Sequence, residues 1–173
     1  EISKKIDREK EGVSLVDSLR KRVRFVKDQA FEKIPRVAAI EWIDPFFTSG
    51  HWVPEMIEIA GGKNLISSEK MPSRKMQLEE IRDADPDVIV IMPCGFDVKR
   101  TIDEYNKTLA ENKEWNDLRA VKENNVYAVD ANSYFSKPSL RTVTGIEILA
   151  SIFHPEIFKG LEMPENSYMK INY

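Results

Sequence analysis

Ser49-Gly50-His51 places a hydroxyl and an imidazole two residues apart, the residue types that nucleophilic acyl transfer uses. Neighbours so close in sequence seldom face each other as nucleophile and base, and no Gly-x-Ser-x-Gly turn is present to expose such a serine. A small hydrolase using Ser49 and His51 is therefore the rival reading, not the leading one. Cys94, the one cysteine, follows an apolar run, a place where nucleophiles do occur. Pro93 and Gly95 flank it as in a tight turn, however, and no base adjoins it. The two histidines, His51 and His154, are far apart in sequence, so no His or Cys pair has metal-ligand spacing. His51 reads either as a sole ligand to the metal of a bound cofactor or as an ordinary loop histidine. Gly61-Gly62 follows a helical pattern rather than a strand, and no Gly-x-Gly-x-x-Gly occurs, so nucleotide binding has no support.

Aromatic rings are the chemistry the chain supplies in quantity. Trp42, Phe46, Phe47, His51 and Trp52 follow the apolar run Val37–Ile40. Phe96 follows Val88–Met92, and Tyr134 and Phe135 follow Val126–Val129. Each run reads as a buried parallel strand, so all three loops leave carboxyl ends, the rim where open α/β sheets bind ligands. Any single aromatic is more often core than site. Their shared placement favours a cleft for a large, flat or partly apolar ligand. Phe46, Trp52, Phe96 and Tyr134 are the foremost wall residues, and Lys137 and Arg141 are placed to meet an anionic or carbonyl-bearing edge.

The elements that would position these loops alternate between strand and helix. Residues 1–12 are highly charged and read as a frayed segment. From Val13, the spacing of Val16, Leu19, Val23, Val26 and Ala30 predicts a long amphipathic helix over 13–34, stopped by Pro35. Helices are predicted over 54–60, with Pro54 in the first turn and Gly61-Gly62 after the last, and over 77–84. Asp97 reads as the cap of a helix reaching Leu109, and further helices fall at 115–121 and 139–153. Lys63–Ile66 reads as a short strand or an extended segment, and the tail from Pro155 as irregular with one turn near Ile157. The fold class is α/β: a small, doubly wound, mainly parallel sheet with helices on both faces, preceded by the long helix.

At 173 residues, 42% hydrophobic and 32% charged, one soluble domain is the default. A net charge of −3 gives no reason to expect nucleic acid as partner. Residues 1–35 hold ten Lys/Arg against seven Asp/Glu, which reads as a solvated helix face. No apolar run approaches the roughly 18 residues of a membrane span. The sequence begins at Glu1 without Met and reads as a mature or truncated piece.

Three stretches carry a resemblance. They are Arg36–Trp42 with Phe47–Met56 and Ile59–Ile66; Leu78–Ile81 with Asp85–Gly95; and Val126–Asp130 with Tyr134–Pro138. Together they resemble the substrate-binding proteins of ABC importers for cobalamin, haem and iron–siderophores, the cobalamin branch most of all. The resemblance implies two α/β lobes joined by one long helix, with the ligand between them and no catalysis. This chain is similar to the joining helix (13–34) plus the second lobe (35–173). A first lobe outside this sequence, or a second copy, would then complete the cleft. It further implies an extracytoplasmic location, a permease–ATPase complex as partner, and cobalamin as favoured cargo, with haem or an iron–siderophore as alternatives. A glutamate on each lobe meets permease arginines in this family; Glu79 matches that position, with Glu80 the second choice. A cytosolic interaction module with no small ligand is the remaining alternative.

Overall fold

Side chains alternate across a central sheet and build two cores. Val37, Ala39, Val88, Val90 and Val129 pack on one side, and Ala38, Ile40, Ile89, Ile91 and Ala128 on the other. A strand buried on both faces has no reason to carry polar residues, which explains the near-continuous apolar runs. In the computed structural model, which describes residues 1–172, α1 (Ile2–Lys5), α2 (Glu9–Lys27), β1 (Arg36–Ile43), β2 (Phe46–Thr48), α3 (Val53–Ile59) and β3 (Lys63–Asn64) come first. Then come α4 (Leu78–Ala84), β4 (Val88–Ile91), α5 (Val98–Thr108), α6 (Lys113–Asn116), α7 (Arg119–Lys122) and β5 (Val126–Val129). They are followed by α8 (Ala131–Tyr134), α9 (Thr142–Phe153), α10 (Pro155–Phe158) and β6 (Tyr168–Lys170).

β1, β4 and β5 run parallel, with Val37 opposite Val88 and Ile89 opposite Val126. Short β3 pairs parallel with the first residues of β1. β2 and β6 add antiparallel at the two edges, giving the order β2-β1-β4-β5-β6. Helices α2, α3, α8, α9 and α10 cover the first face, and α4 to α7 cover the second. The α/β class with helices on both faces is thus as the sequence predicts. β2 and β6 are additions to it, because 46–48 reads as loop and the tail as irregular.

Several boundaries differ from expectation. The long helix begins at Glu9 and ends at Lys27, not at Val13 and residue 34. Segment 1–12 is largely helical rather than frayed, since Glu and Lys are good helix formers and Lys4–Glu9 and Arg8–Glu11 pair across it. Past Lys27 the chain turns inward, and Phe31 stacks on His154 at 4.0 Å. Of the predicted apolar face only Val26 is fully buried, while Val16 remains 41% exposed. The 115–121 helix divides into α6 and α7. The predicted caps hold: Asp97 accepts from the Arg100 backbone N–H at 2.8 Å, and Pro54 lies in the first turn of α3.

One ion pair ties α2 to this body. Arg22 donates from Nε to Glu147 of α9 at 2.8 Å, from Nη2 to the second Glu147 oxygen, and to Thr144 Oγ1 at 2.9 Å. At the opposite end of the sheet from the aromatic loops, His154 hydrogen-bonds the Gly61 carbonyl at 3.0 Å, and burial holds its pKa below the ordinary value. Its role is structural.

Candidate functional site

The three rim loops are stitched together by backbone groups. The Asn132 N–H donates to the Phe96 carbonyl at 3.0 Å, joining the β5 loop to the β4 loop. Gly95 N–H donates to Ser136 Oγ at 2.9 Å, and Cys94 N–H to the Glu41 carbonyl at 3.3 Å. Trp52 Nε1 donates to the Phe135 carbonyl at 2.9 Å, which brings in the β1 loop. Bonds of this kind fix the loops relative to one another and to the sheet.

Gly50 and His51 shape the first loop. A Cβ on Gly50 would sit 2.3 Å from the Ser73 backbone nitrogen, so only glycine permits this approach of segment 71–73. His51 follows with φ of 58°, a left-handed conformation uncommon outside glycine. Its N–H donates to the Met71 carbonyl at 2.7 Å, and its own carbonyl accepts from Lys70 at 3.1 Å. Segment 70–71 therefore holds the histidine in place. A strained backbone position of this kind is often found at a binding site.

Two hollows open on this rim. The first, about 240 Å³, is lined by Glu41, His51, Trp52, Met92, Cys94 and Phe135 among others. The second, about 290 Å³, is lined by Glu41, Trp42, Pro45, Phe47, Ser73 and Cys94. Glu41 and Cys94 belong to both. The hollows are therefore neighbours separated by the ends of β1 and β4, with aromatic walls on their outer sides.

Of the side chains singled out from sequence, Trp42, Phe47, His51 and Trp52 line the hollows, as does Phe135 although it is itself buried, whereas Phe46, Phe96, Tyr134, Lys137 and Arg141 do not. Phe46 turns toward the α5–α6 core and stacks on Trp115, ring centroids 5.9 Å apart. Phe96 is buried, meeting Trp42 edge-on at 5.3 Å beneath the Arg100 guanidinium at 3.7 Å. It backs the wall instead of forming it. Tyr134 is half-buried against the α9 core. Lys137 and Arg141 are exposed beyond both hollows.

Glu41 is the residue sequence reasoning missed. A charged side chain interrupting Ile40-Glu41-Trp42 at the end of an apolar strand was the available signal. Burial pushes its carboxyl above the ordinary range, and the nearby His51 pulls it part-way back. In the window above the usual carboxylate value the folded state then holds more protons than the unfolded chain. Glu41 alone thus makes stability fall as pH rises through that window.

The rival chemistry finds little here. Ser49 is fully buried, its hydroxyl 3.3 Å from Ser67 Oγ, and among the described residues no hydrogen bond joins it to His51. No group of three or more His, Cys, Asp or Glu is arranged to hold a metal ion among the described residues. No helix among them is long and apolar enough to cross a membrane.

The two glutamates of α4 differ. Glu80 is engaged: it accepts from Arg74 at 2.8 Å and from the Gln77 backbone at 3.1 Å, completing a capping box. Both contacts hold its carboxyl below the ordinary range, the Arg74 hydrogen bond most strongly. Glu79 is exposed and makes neither kind of contact among the described residues.

Comparison with known proteins matches this architecture. The high-affinity heme uptake system protein IsdE of Staphylococcus aureus is 23% identical over 137 residues, covering 75% of this chain and 46% of its own length. The chain thus spans about half the length of the curated relatives it matches. Among solved structures, the TroA-like periplasmic binding protein FepB of Veillonella parvula superposes with a TM-score of 0.80 at 19% identity, over 99% of this chain and 59% of that one. S. aureus IsdE complexed with heme gives 0.73 at 19% identity, over 88% of this chain and 61% of that one. The periplasmic heme-binding protein RhuT of Roseiflexus sp. RS-1 gives 0.71 at 18% identity, over 89% of this chain and 59% of that one. These likenesses speak for the fold. The profile described as periplasmic binding protein matches residues 1–133, most of the chain, and with it the chain belongs to the periplasmic binding protein family.

Proposed function

We propose that this chain forms one wall of the cleft of an extracytoplasmic substrate-binding protein. Its cargo is a large, flat, metal-bearing ligand delivered to an ABC importer. The observation that carries this reading is the pair of adjoining aromatic hollows at the carboxyl rim of the sheet, walled by Trp42, Phe47 and Trp52 with buried Phe135 at the base of the first. Such a surface offers ring faces to a macrocycle, with burial contributing about 25 cal/mol per Å² of apolar area. No bond need be made or broken, so no general acid or base is called for.

Cobalamin is the favoured cargo on the strength of the resembling stretches in 36–66, 78–95 and 126–138 taken together; haem and iron–siderophores are the alternatives, haem supported by the likeness to the heme proteins IsdE and RhuT. In this reading α2 is the joining helix, and the facing wall comes from a first lobe or a second copy. His51, at the mouth of the first hollow, is within the cargo's reach. Glu79 rather than Glu80 is the docking acid toward the permease, because Glu80 is committed to Arg74 and the α4 cap.

The test is titration of cyanocobalamin and haemin into the full-length gene product, followed by absorbance or calorimetry. Trp52→Ala is expected to weaken the bound ligand about tenfold, the scale of one lost aromatic contact. Unchanged affinity would return Trp52 to a purely structural role, and no binding of either ligand by the unsubstituted protein would contradict the proposal.

A further inference from the structure

Among the described residues Glu41 is the one acidic side chain lining the two hollows, and it lines both. Its carboxylate accepts no hydrogen bond and joins no ion pair among the described residues. His51 is its electrostatic neighbour, and among the described residues no lysine or arginine lines either hollow. Half-buried, the carboxylate is still reached by water at the open rim. A ligand seated over it strips that water, and an acceptor then left without a donor is costly. A ligand that brings an N–H removes that cost and gains a charge-assisted hydrogen bond, which is stronger than a neutral one. A ligand that brings a carboxylate to the same place meets like charge in a poorly solvated cleft.

We propose that Glu41 determines which cargo edge this wall accepts: it takes hydrogen bonds from amide N–H groups and rejects carboxylates. The inference rests on the cleft reading above and deepens it. Corrinoids are edged with primary amides, whereas haem carries two carboxylates, so the residue favours a corrinoid at this wall.

Cyanocobalamin and its monocarboxylic acids, each with one peripheral amide hydrolysed to an acid, make a nearly isosteric test set. Binding of each to the full-length gene product is measured for the unsubstituted protein, Glu41→Gln and Glu41→Ala, with thermal melts confirming that the variants fold. The unsubstituted protein is expected to bind at least one monoacid about tenfold more weakly than cyanocobalamin. That ratio should collapse toward one in Glu41→Gln, whose amide can donate to the acid, and shrink in Glu41→Ala. Equal binding of amide and acid by the unsubstituted protein overturns the inference and leaves the cleft standing, as does an unchanged ratio in both variants. Failure of the unsubstituted protein to bind cyanocobalamin overturns the inference as well. Haemin binding in that case would retain the cleft, and its failure too would remove the proposed function.

Discussion

Trp115→Ala is expected to lower the unfolding free energy by about 3–5 kcal/mol, the range for emptying a fully buried large aromatic site. Trp115 has no exposed surface. Its Nε1 donates to the Tyr105 hydroxyl at 2.9 Å, and Tyr105 meets it edge-on at 6.1 Å. Burial pushes the Tyr105 phenol up to about 12, so it stays protonated throughout the neutral range. Phe46 stacks on its ring at 16° between planes. The cavity cannot collapse easily, because α6 is fixed by the Asn112 cap on the Trp115 N–H at 3.0 Å. Urea unfolding measures the effect, and a loss below about 1 kcal/mol would contradict the packing described. Phe46 also begins β2, so the same substitution should loosen the Trp42–Phe47 wall and, in the proposed function, weaken cargo binding without abolishing it.

Arg22→Ala should cost about 2–3 kcal/mol. Removing one partner of a buried ion pair leaves a buried, uncompensated charge, and the Glu147 side chain is only 6% exposed. The value sits below the usual range because Arg22 is 39% exposed, so water can enter the vacated place. Replacing both residues, as in Arg22→Leu with Glu147→Leu, should be near neutral, since an apolar pair pays no desolvation cost. Chemical unfolding of the two single variants and the double variant yields the coupling energy. A loss for Arg22→Ala under about 0.5 kcal/mol would reduce the pair to an ordinary surface contact. The pair matters beyond stability, because it clamps α2 onto α9, and in the proposed function α2 is the connector whose direction sets how a facing lobe meets this one.

The parts of the fold legible from sequence were those whose signal is local. β1, β4 and β5 read as strands because burial on both faces leaves unbroken apolar runs. Asp97 and Pro54 marked helix starts because capping chemistry is confined to one turn. β2 and β6 were not legible. Each is three residues long, and each exists through partners such as Ile40 for Thr48 and Val129 for Tyr168. Helix α8 hid in the third loop for the same reason of length, although the Asp130 cap on the Ser133 N–H was readable.

The site divides along the same line. That aromatic loops gather at one rim follows from strand direction, which the sequence carries. Where each ring points depends on what fills the space behind it. Phe46 turns away because Trp115, remote in sequence, offers a stacking face. Phe96 is buried because Trp42 and Arg100 enclose it. Glu41 gave only the oddity of a charge in an apolar strand, and that it has no partner among the described residues is visible only when its neighbours are in place.

The most direct test of the central claim uses the tryptophans of this chain as reporters. Trp42 and Trp52 stand on the walls of the two hollows, while Trp115 lines neither and is fully buried in the core of the second face. With the isotope-labelled full-length gene product, the indole N–H signals of Trp42, Trp52 and Trp115 are assigned and followed as cyanocobalamin or haemin is added. The account predicts that the Trp42 and Trp52 signals shift or broaden with the ligand while the Trp115 signal stays in place. A bound ligand that leaves Trp42 and Trp52 untouched would show that the cargo sits elsewhere.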